Sequence, residues 1–140
     1  MANKSVLTKR KERAQRVFNE YIRLRDCLET TGTPFSAICF TCNRETDNTK
    51  GNLHASHFIL DSKSGNLTSF DEHNVHACCK RCNRFLNGNL GNYAINLIKK
   101  YGQDELDRLQ RLKLISKKWT IDELDQIHDE YKLKLKNIYV

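Results

Sequence analysis

Apolar residues in this chain follow two regimes, and the change between them organises the reading. Over residues 5–29, Ala14, Val17, Phe18, Tyr21, Leu24 and Leu28 recur at spacings of three and four, with Lys, Arg and Glu between them. That period predicts one long amphipathic helix whose apolar stripe requires a covering partner. The stretch Glu29-Thr-Thr-Gly-Thr-Pro34 holds the chain's single proline and a glycine, so the helix stops there and a linker follows. From about residue 36 to 88 the helical period is lost. Asn, Ser, Thr and Gly become frequent, and apolar pieces such as Phe58-Ile59-Leu60 are short, which predicts brief strands and loops with little core of their own. Beyond Cys82 the helical pattern returns, broken at Asn87-Gly88-Asn89. It resumes as a stripe of Leu90, Tyr93, Ala94, Leu97, Ile98 and Tyr101 that ends at Gly102. A third helix is expected over 103–115 on Leu106, Leu109 and Leu112. A fourth is expected from Thr120-Ile-Asp-Glu123, a capping-box pattern, carrying Ile121, Leu124, Ile127, Tyr131, Leu135 and Ile138.

The irregular centre is bracketed by cysteines. Cys39-Phe-Thr-Cys42 and Cys79-Lys-Arg-Cys82 are two Cys-x₂-Cys pairs, each able to present two thiolates from a compact turn. Four thiolates from two such turns suit a structural zinc ion, which contributes folding energy where a core is small. Cys27 and Cys78 are left over and read as small buried hydrophobes. No apolar run approaches the roughly 20 residues of a membrane span. The stretch Met1–Thr8 lacks the apolar core of a signal peptide. A reducing cytoplasm is therefore expected, where paired cysteines hold metal more often than disulfides.

Charge narrows the partner. The formal net charge is +7 and it is uneven: residues 1–30 hold eight Lys and Arg against four Asp and Glu, and residues 79–100 hold five basic residues and no acidic one. Positive potential around the second cysteine pair favours a polyanion. Lys80, Arg81 and Arg84 are the residues expected to hold nucleic acid, by contacts that position a backbone without reading bases.

Between the cysteine pairs lie residues suited to hydrolysis. Phosphodiester cleavage needs a base near neutral pKa, which imidazole supplies, and a divalent ion on the scissile phosphate. His54 and His57 lie on the same short apolar segment, three apart, so on a regular strand they face opposite sides. Asn83, directly after the last cysteine of the pairs, is a candidate oxygen ligand for Mg²⁺ or Mn²⁺.

The order Cys-x₂-Cys, a strand histidine, Asn74, then Cys-x₂-Cys-Asn resembles the His-Asn-His (ββα-metal) nuclease motif on a treble-clef zinc scaffold. More specifically, the runs Tyr21-Ile-Arg-Leu-Arg-Asp26, Ser56-His57-Phe58, Phe70-Asp-Glu-His-Asn74-Val-His76, Cys79-x₂-Cys82-Asn83 and Gly88-Asn89 resemble the NinG/Rap recombination endonucleases of lambdoid bacteriophages. The likeness continues through Tyr101-Gly102 and Trp119-Thr120-Ile121, over roughly residues 14–140. The resemblance implies a mostly helical α+β protein. Residues 1–35 would form a basic helix and linker, 36–101 a zinc-stapled nuclease core and 102–140 a helical extension. It implies His57 as general base, Asn74 as the asparagine that braces the catalytic loop, and Asn83 as a catalytic-metal ligand, with His54 the tentative second. It further implies Mg²⁺- or Mn²⁺-dependent cleavage of branched DNA, such as D-loops and four-way junctions, in the cytoplasm of a bacterial host. A symmetrical junction needs two cuts, which suits a homodimer, and the apolar stripe of residues 14–28 or 121–138 could form its interface or pack within one chain. In the wider class an aspartate often precedes the base histidine, and here that position is Ser56. His54 or Asp71 could supply the missing ligand. The alternative reading is a zinc-stabilised nucleic-acid-binding module without cleavage activity.

Overall fold

A computed structural model describes residues 4–62 and 65–139. The chain runs α1 (Val6–Thr30), β1 (Ser36–Ile38), β2 (Glu45–Asp47), β3 (Leu53–His57), β4 (Val75–Cys79), a π-helical turn (Arg81–Phe85), α2 (Leu90–Tyr101), α3 (Gln103–Leu112) and α4 (Ile121–Asn137). About half of the residues are helical and the strands form two small antiparallel hairpins, so the fold is α+β.

Helix α1 begins where Ser5 accepts the Thr8 N–H at its side chain, satisfying one of the donors that a helix start leaves unpaired. It ends where Thr31 and Gly32 both donate N–H groups to the Cys27 carbonyl, Gly32 at φ +76°. The buried side of α1 is Ala14, Val17, Phe18, Ile22, Asp26 and Cys27. An aspartate on that face needs partners. Asp26 has them: Arg25 Nε donates to one carboxylate oxygen at 2.8 Å, and the Ala77 N–H of β4 donates to the other at 2.7 Å. Arg25 also donates to the Glu72 and Val75 carbonyls, both at 2.9 Å, so adjacent residues of α1 clamp the strand that returns to the second cysteine pair.

The β3–β4 hairpin is the centre of the molecule. Its register pairs Leu53 with Cys79, His54 with Cys78, Ala55 with Ala77, Ser56 with His76 and His57 with Val75, without a bulge. Alternation gives each face its own partner. Leu53, Ala55, Val75 and Ala77 pack on α1 through Val17, Phe18, Ile22 and Cys27. On the opposite face His76 meets α2: its Nδ1 lies 3.1 Å from the Tyr93 hydroxyl and its Nε2 2.8 Å from the Tyr101 hydroxyl. The imidazole stacks on Phe40 with ring centroids 4.0 Å apart and is fully buried, which makes it a core residue.

The C-terminal helices close the fold. Thr120 and Glu123 cap α4 reciprocally, each side chain accepting the other's backbone N–H at 3.1 Å. Helix α4 then covers the stripe of α1, with Tyr131 edge-on to Phe18 at 4.8 Å and to Tyr21 at 5.2 Å. These two stripes, the candidate dimer surfaces in the sequence, are thus spent on each other within one chain. Helix α3 stops at Leu112 rather than 115, and just beyond it Ser116 bridges to Asn66. No described helix is long and apolar enough to cross a membrane.

Candidate functional site

Cys39 and Cys42 sit in the turn between β1 and β2, Cys79 ends β4, and Cys82 lies in the π-helical turn. Their four sulfurs all lie within 4.8 Å of one another, and Cys42 and Cys79 Sγ are 3.8 Å apart. A tetrahedron with metal–sulfur bonds of about 2.3 Å has edges of about 3.8 Å, so the cluster can hold a metal such as zinc. Donors for anionic sulfur are in place as well. The Cys79 N–H donates to Cys39 Sγ at 3.2 Å, Thr41 Oγ1 lies 3.3 Å from the same sulfur, and Asn89 Nδ2 donates to Cys82 Sγ at 3.6 Å. Cys78 is a buried core residue, as its reading as a small hydrophobe requires. Its thiol lies against Cys39, which holds the Cys39 thiol down to about 3 and pushes that of Cys78 well up. Cys27 does pack in an apolar cluster with Ala37, Leu53 and Ala77.

The remaining candidates separate into two groups on the two faces of β3. His54 and Ser56 point toward the turn that follows Cys79. Ser56 Oγ donates to Asn83 Oδ1 at 2.8 Å, and Asn83 Nδ2 lies 3.0 Å from His54 Nδ1. His54 Nε2 meets the Gly51 carbonyl at 3.1 Å, so Nε2 carries the proton and Nδ1 accepts from Asn83. Burial lowers the pKa of His54, against the Gly51 carbonyl, and the Arg84, Lys80 and Arg23 cations lower it further. All donors of this group are neutral, and the charges that act most on His54 are positive.

His57 leaves the other face, toward α1. Its Nε2 lies 3.0 Å from the Ser69 carbonyl, which fixes the proton there and leaves Nδ1 as the lone pair. Gln15 of α1 comes within 3.4 Å of the same ring nitrogen and of the Ser69 carbonyl. Burial holds the His57 pKa below its ordinary value, against the Ser69 carbonyl and Asp61, so the ring is a neutral base at neutral pH. Gln15 was invisible as a site residue in the sequence, because one polar position on an amphipathic helix carries no signal of what it faces. Gln15 also lines a groove completed by Lys11, Asp61, Lys118 and Trp119.

Asn74 is fully buried and uses its whole amide. Its Oδ1 accepts the Ile59 N–H at 2.8 Å, and its Nδ2 donates to the Ile59 and Thr68 carbonyls at 3.0 Å. The loop from β3 to β4 is thereby tied at both ends, and Thr68 directly precedes the Ser69 that orients His57. Asp71, a candidate for the missing acidic ligand, is engaged elsewhere: Arg108 meets its carboxylate at 2.8 Å, and it accepts the His73 N–H at 3.0 Å. Lys80, Arg81 and Arg84 are exposed, and none of them makes an ion pair among the described residues.

An α+β chain in which four cysteines at metal-binding distances join the β1–β2 turn to the end of a β-hairpin and the helical turn after it has the layout of a small metal-stapled protein. Sequence comparison makes the class specific. The family profile described as Bacteriophage Lambda NinG protein matches residues 2–139, and the chain belongs to that family. Protein ninG of Escherichia phage lambda is 32% identical over 127 residues, covering 91% of this chain and 56% of the relative. Protein ninG of Salmonella phage P22 is 31% identical with the same coverage, and that of Enterobacteria phage H19B is 30% identical over 131 residues, covering 91% and 57%. The chain thus spans a little over half the length of these curated relatives. No solved structure matches it.

Proposed function

We propose that this chain is a metal-dependent endonuclease that hydrolyses phosphodiester bonds in branched DNA, built as a ββα-metal nuclease on a treble-clef scaffold with structural zinc in the four-cysteine cluster. The observation that carries the reading is a histidine of fixed tautomer on the strand whose other face bears the Ser56–Asn83 pair. His57 presents an Nδ1 without a hydrogen-bond partner among the described residues, on the face of β3 opposite to Ser56, whose hydroxyl is bonded to Asn83. In the reaction, a water oxygen attacks phosphorus while His57 Nδ1 takes the water proton. The bond from phosphorus to the leaving sugar oxygen breaks, and that oxygen is protonated from solvent.

Asn83 Oδ1, Ser56 Oγ and His54 Nδ1 are the groups that would hold Mg²⁺ or Mn²⁺. Such an ion supplies charge stabilisation on the phosphate and the leaving oxygen. These donors fit a hard cation in kind but bring no negative charge, so the scissile phosphate would provide the anionic oxygens. Lys80, Arg81 and Arg84 would hold the flanking backbone. The reducing cytoplasm of the bacterial host suits four metal-binding thiolates.

The test is cleavage of a synthetic four-way junction in Mg²⁺ or Mn²⁺ by wild type and His57→Ala, with circular dichroism of both. Loss of at least about 100-fold in rate with an unchanged fold is expected, since a general base contributes roughly 10²–10⁴. Equal cleavage by both proteins would remove His57 from the role. Two observations favour a second reading, a nucleic-acid-binding module: no carboxylate among the described residues joins Asn83 and Ser56, and His57 and Asn83 lie on opposite faces of β3 and point apart. Junction binding without cleavage in either metal would establish it.

A further inference from the structure

Phe85 and Leu86 stand at the outer end of the π-helical turn, 72% and 42% exposed, with Leu90 close behind. Scattered apolar residues on a surface are ordinary. These occupy one tip, and the tip is held rigidly. Leu86 donates its N–H to the Arg81 carbonyl at 2.9 Å, Gly88 to the Cys82 carbonyl at 2.9 Å, and Asn89 to the Leu86 carbonyl at 2.8 Å. Asn87, Gly88 and Asn89 all take positive φ, so the chain doubles back immediately and leaves the tip projecting. Cys82 ties this turn to the metal cluster. Lys80, Arg81 and Arg84 flank the tip, exposed and without ion-pair partners among the described residues. Asn83, on the same five-residue turn, faces inward to Ser56 and His54.

A flat aromatic face with cations beside it complements a polyanion that exposes the faces of its bases. We propose that Phe85 and Leu86 form a wedge that stacks against an unstacked base at the branch point of a DNA junction, while Lys80, Arg81 and Arg84 grip the flanking phosphates. This deepens the proposed nuclease function and rests on it. In continuous duplex every base is stacked and opening a step costs energy, whereas at a branch the step is already open. The wedge therefore gives shape selectivity to a protein whose cations do not read sequence.

The experiment uses the full chain in Ca²⁺ with a four-way junction carrying 2-aminopurine either at the branch point or within an arm. Junction cleavage in Mg²⁺ is measured in parallel. Wild type should change the branch-point fluorescence at least twofold and leave the arm signal unchanged. The Phe85→Ala, Leu86→Ala double variant should lose that change and at least tenfold of its binding preference for junction over linear duplex, with zinc content and circular dichroism unaltered. Phe85→Trp should retain both, as should Leu114→Ala, which alters an exposed leucine elsewhere. A double variant that keeps signal and preference overturns the wedge. Wild type that cuts junctions without the fluorescence change overturns the wedge and leaves the nuclease. Wild type that stacks at the branch without cutting leaves the wedge and overturns the nuclease, and wild type that does neither overturns both.

Discussion

The Ser56 hydroxyl donates to Asn83 Oδ1 at 2.8 Å, joining the residue before His57 to the residue after the last cysteine of the metal cluster. Serine at this position brings no charge, while Arg84, Lys80 and Arg23 crowd the neighbouring His54. Ser56→Asp should therefore convert a weak cation site into a stronger one. Millimolar Mn²⁺ should raise the melting temperature of Ser56→Asp and leave wild type unmoved, because only a bound ligand stabilises by mass action. The Mg²⁺ concentration for half-maximal cleavage should fall about tenfold, consistent with added ligand charge. An unchanged metal dependence in both assays would remove Ser56 and Asn83 from the metal site.

Asn74 reaches His57 through the loop it braces. Removing its amide strands the Ile59 N–H and the Ile59 and Thr68 carbonyls in a buried place. Asn74→Ala should cost about 2–4 kcal/mol in urea unfolding, from hydrogen bonds worth about 1 kcal/mol each plus desolvated partners. Cleavage should fall as well, since Ser69, next to Thr68, sets the His57 tautomer. A variant as stable as wild type would contradict the bracing role.

Metal in the cysteine cluster should measure one zinc per chain by elemental analysis. Cys82→Ser and Cys39→Ser should release it and lower the melting temperature sharply, because structural zinc contributes on the order of 10 kcal/mol. The loss of helicity should be partial: α1 and α4 hold each other through Phe18, Tyr21 and Tyr131, away from the cluster. A stable, zinc-free Cys82→Ser protein would show that the cluster does not carry the hairpin.

Acid should loosen α4 through Glu72. Burial disfavours its carboxylate, yet the Lys134 ammonium at 2.8 Å and the Tyr131 hydroxyl at 2.9 Å outweigh burial and hold its pKa below the ordinary 4.5. A carboxyl lowered on folding contributes stability above its unfolded pKa, and that contribution is lost as pH falls through the folded value. Stability should therefore decline below about pH 4.5. Glu72→Gln should lose about 1 kcal/mol at pH 7 and show a shallower decline on acidification, read by urea midpoints across pH. An identical pH profile in both proteins would exclude Glu72 from acid unfolding.

Much of the helical layout was legible because it is written locally. The expected helix over 5–29 is Val6–Thr30 in the structure, Gly102 stops α2, and the Thr120–Glu123 box caps α4. Each depends on residues within about one turn of each other. The x₂ spacing of the cysteines was likewise enough to bring four sulfurs together. The division of the candidate site was only half legible. Alternation along a strand separates His54 from His57, but which face meets α1 and which meets Asn83 depends on contacts distant in sequence.

By itself, the sequence determined the helices, the four cysteines able to hold a metal, the basic zone around Cys82 and the family to which the chain belongs. Periodicity, capping and ligand spacing act over a few residues and survive in one dimension. Tertiary structure alone decided that the α1 and α4 stripes cover each other, that Arg25 and Asp26 clamp β4, that Gln15 and Ser69 surround His57, and that Phe85 projects into solvent. Those outcomes follow from which surfaces remain once the hairpin has been covered on both faces, a quantity set by the whole packed chain.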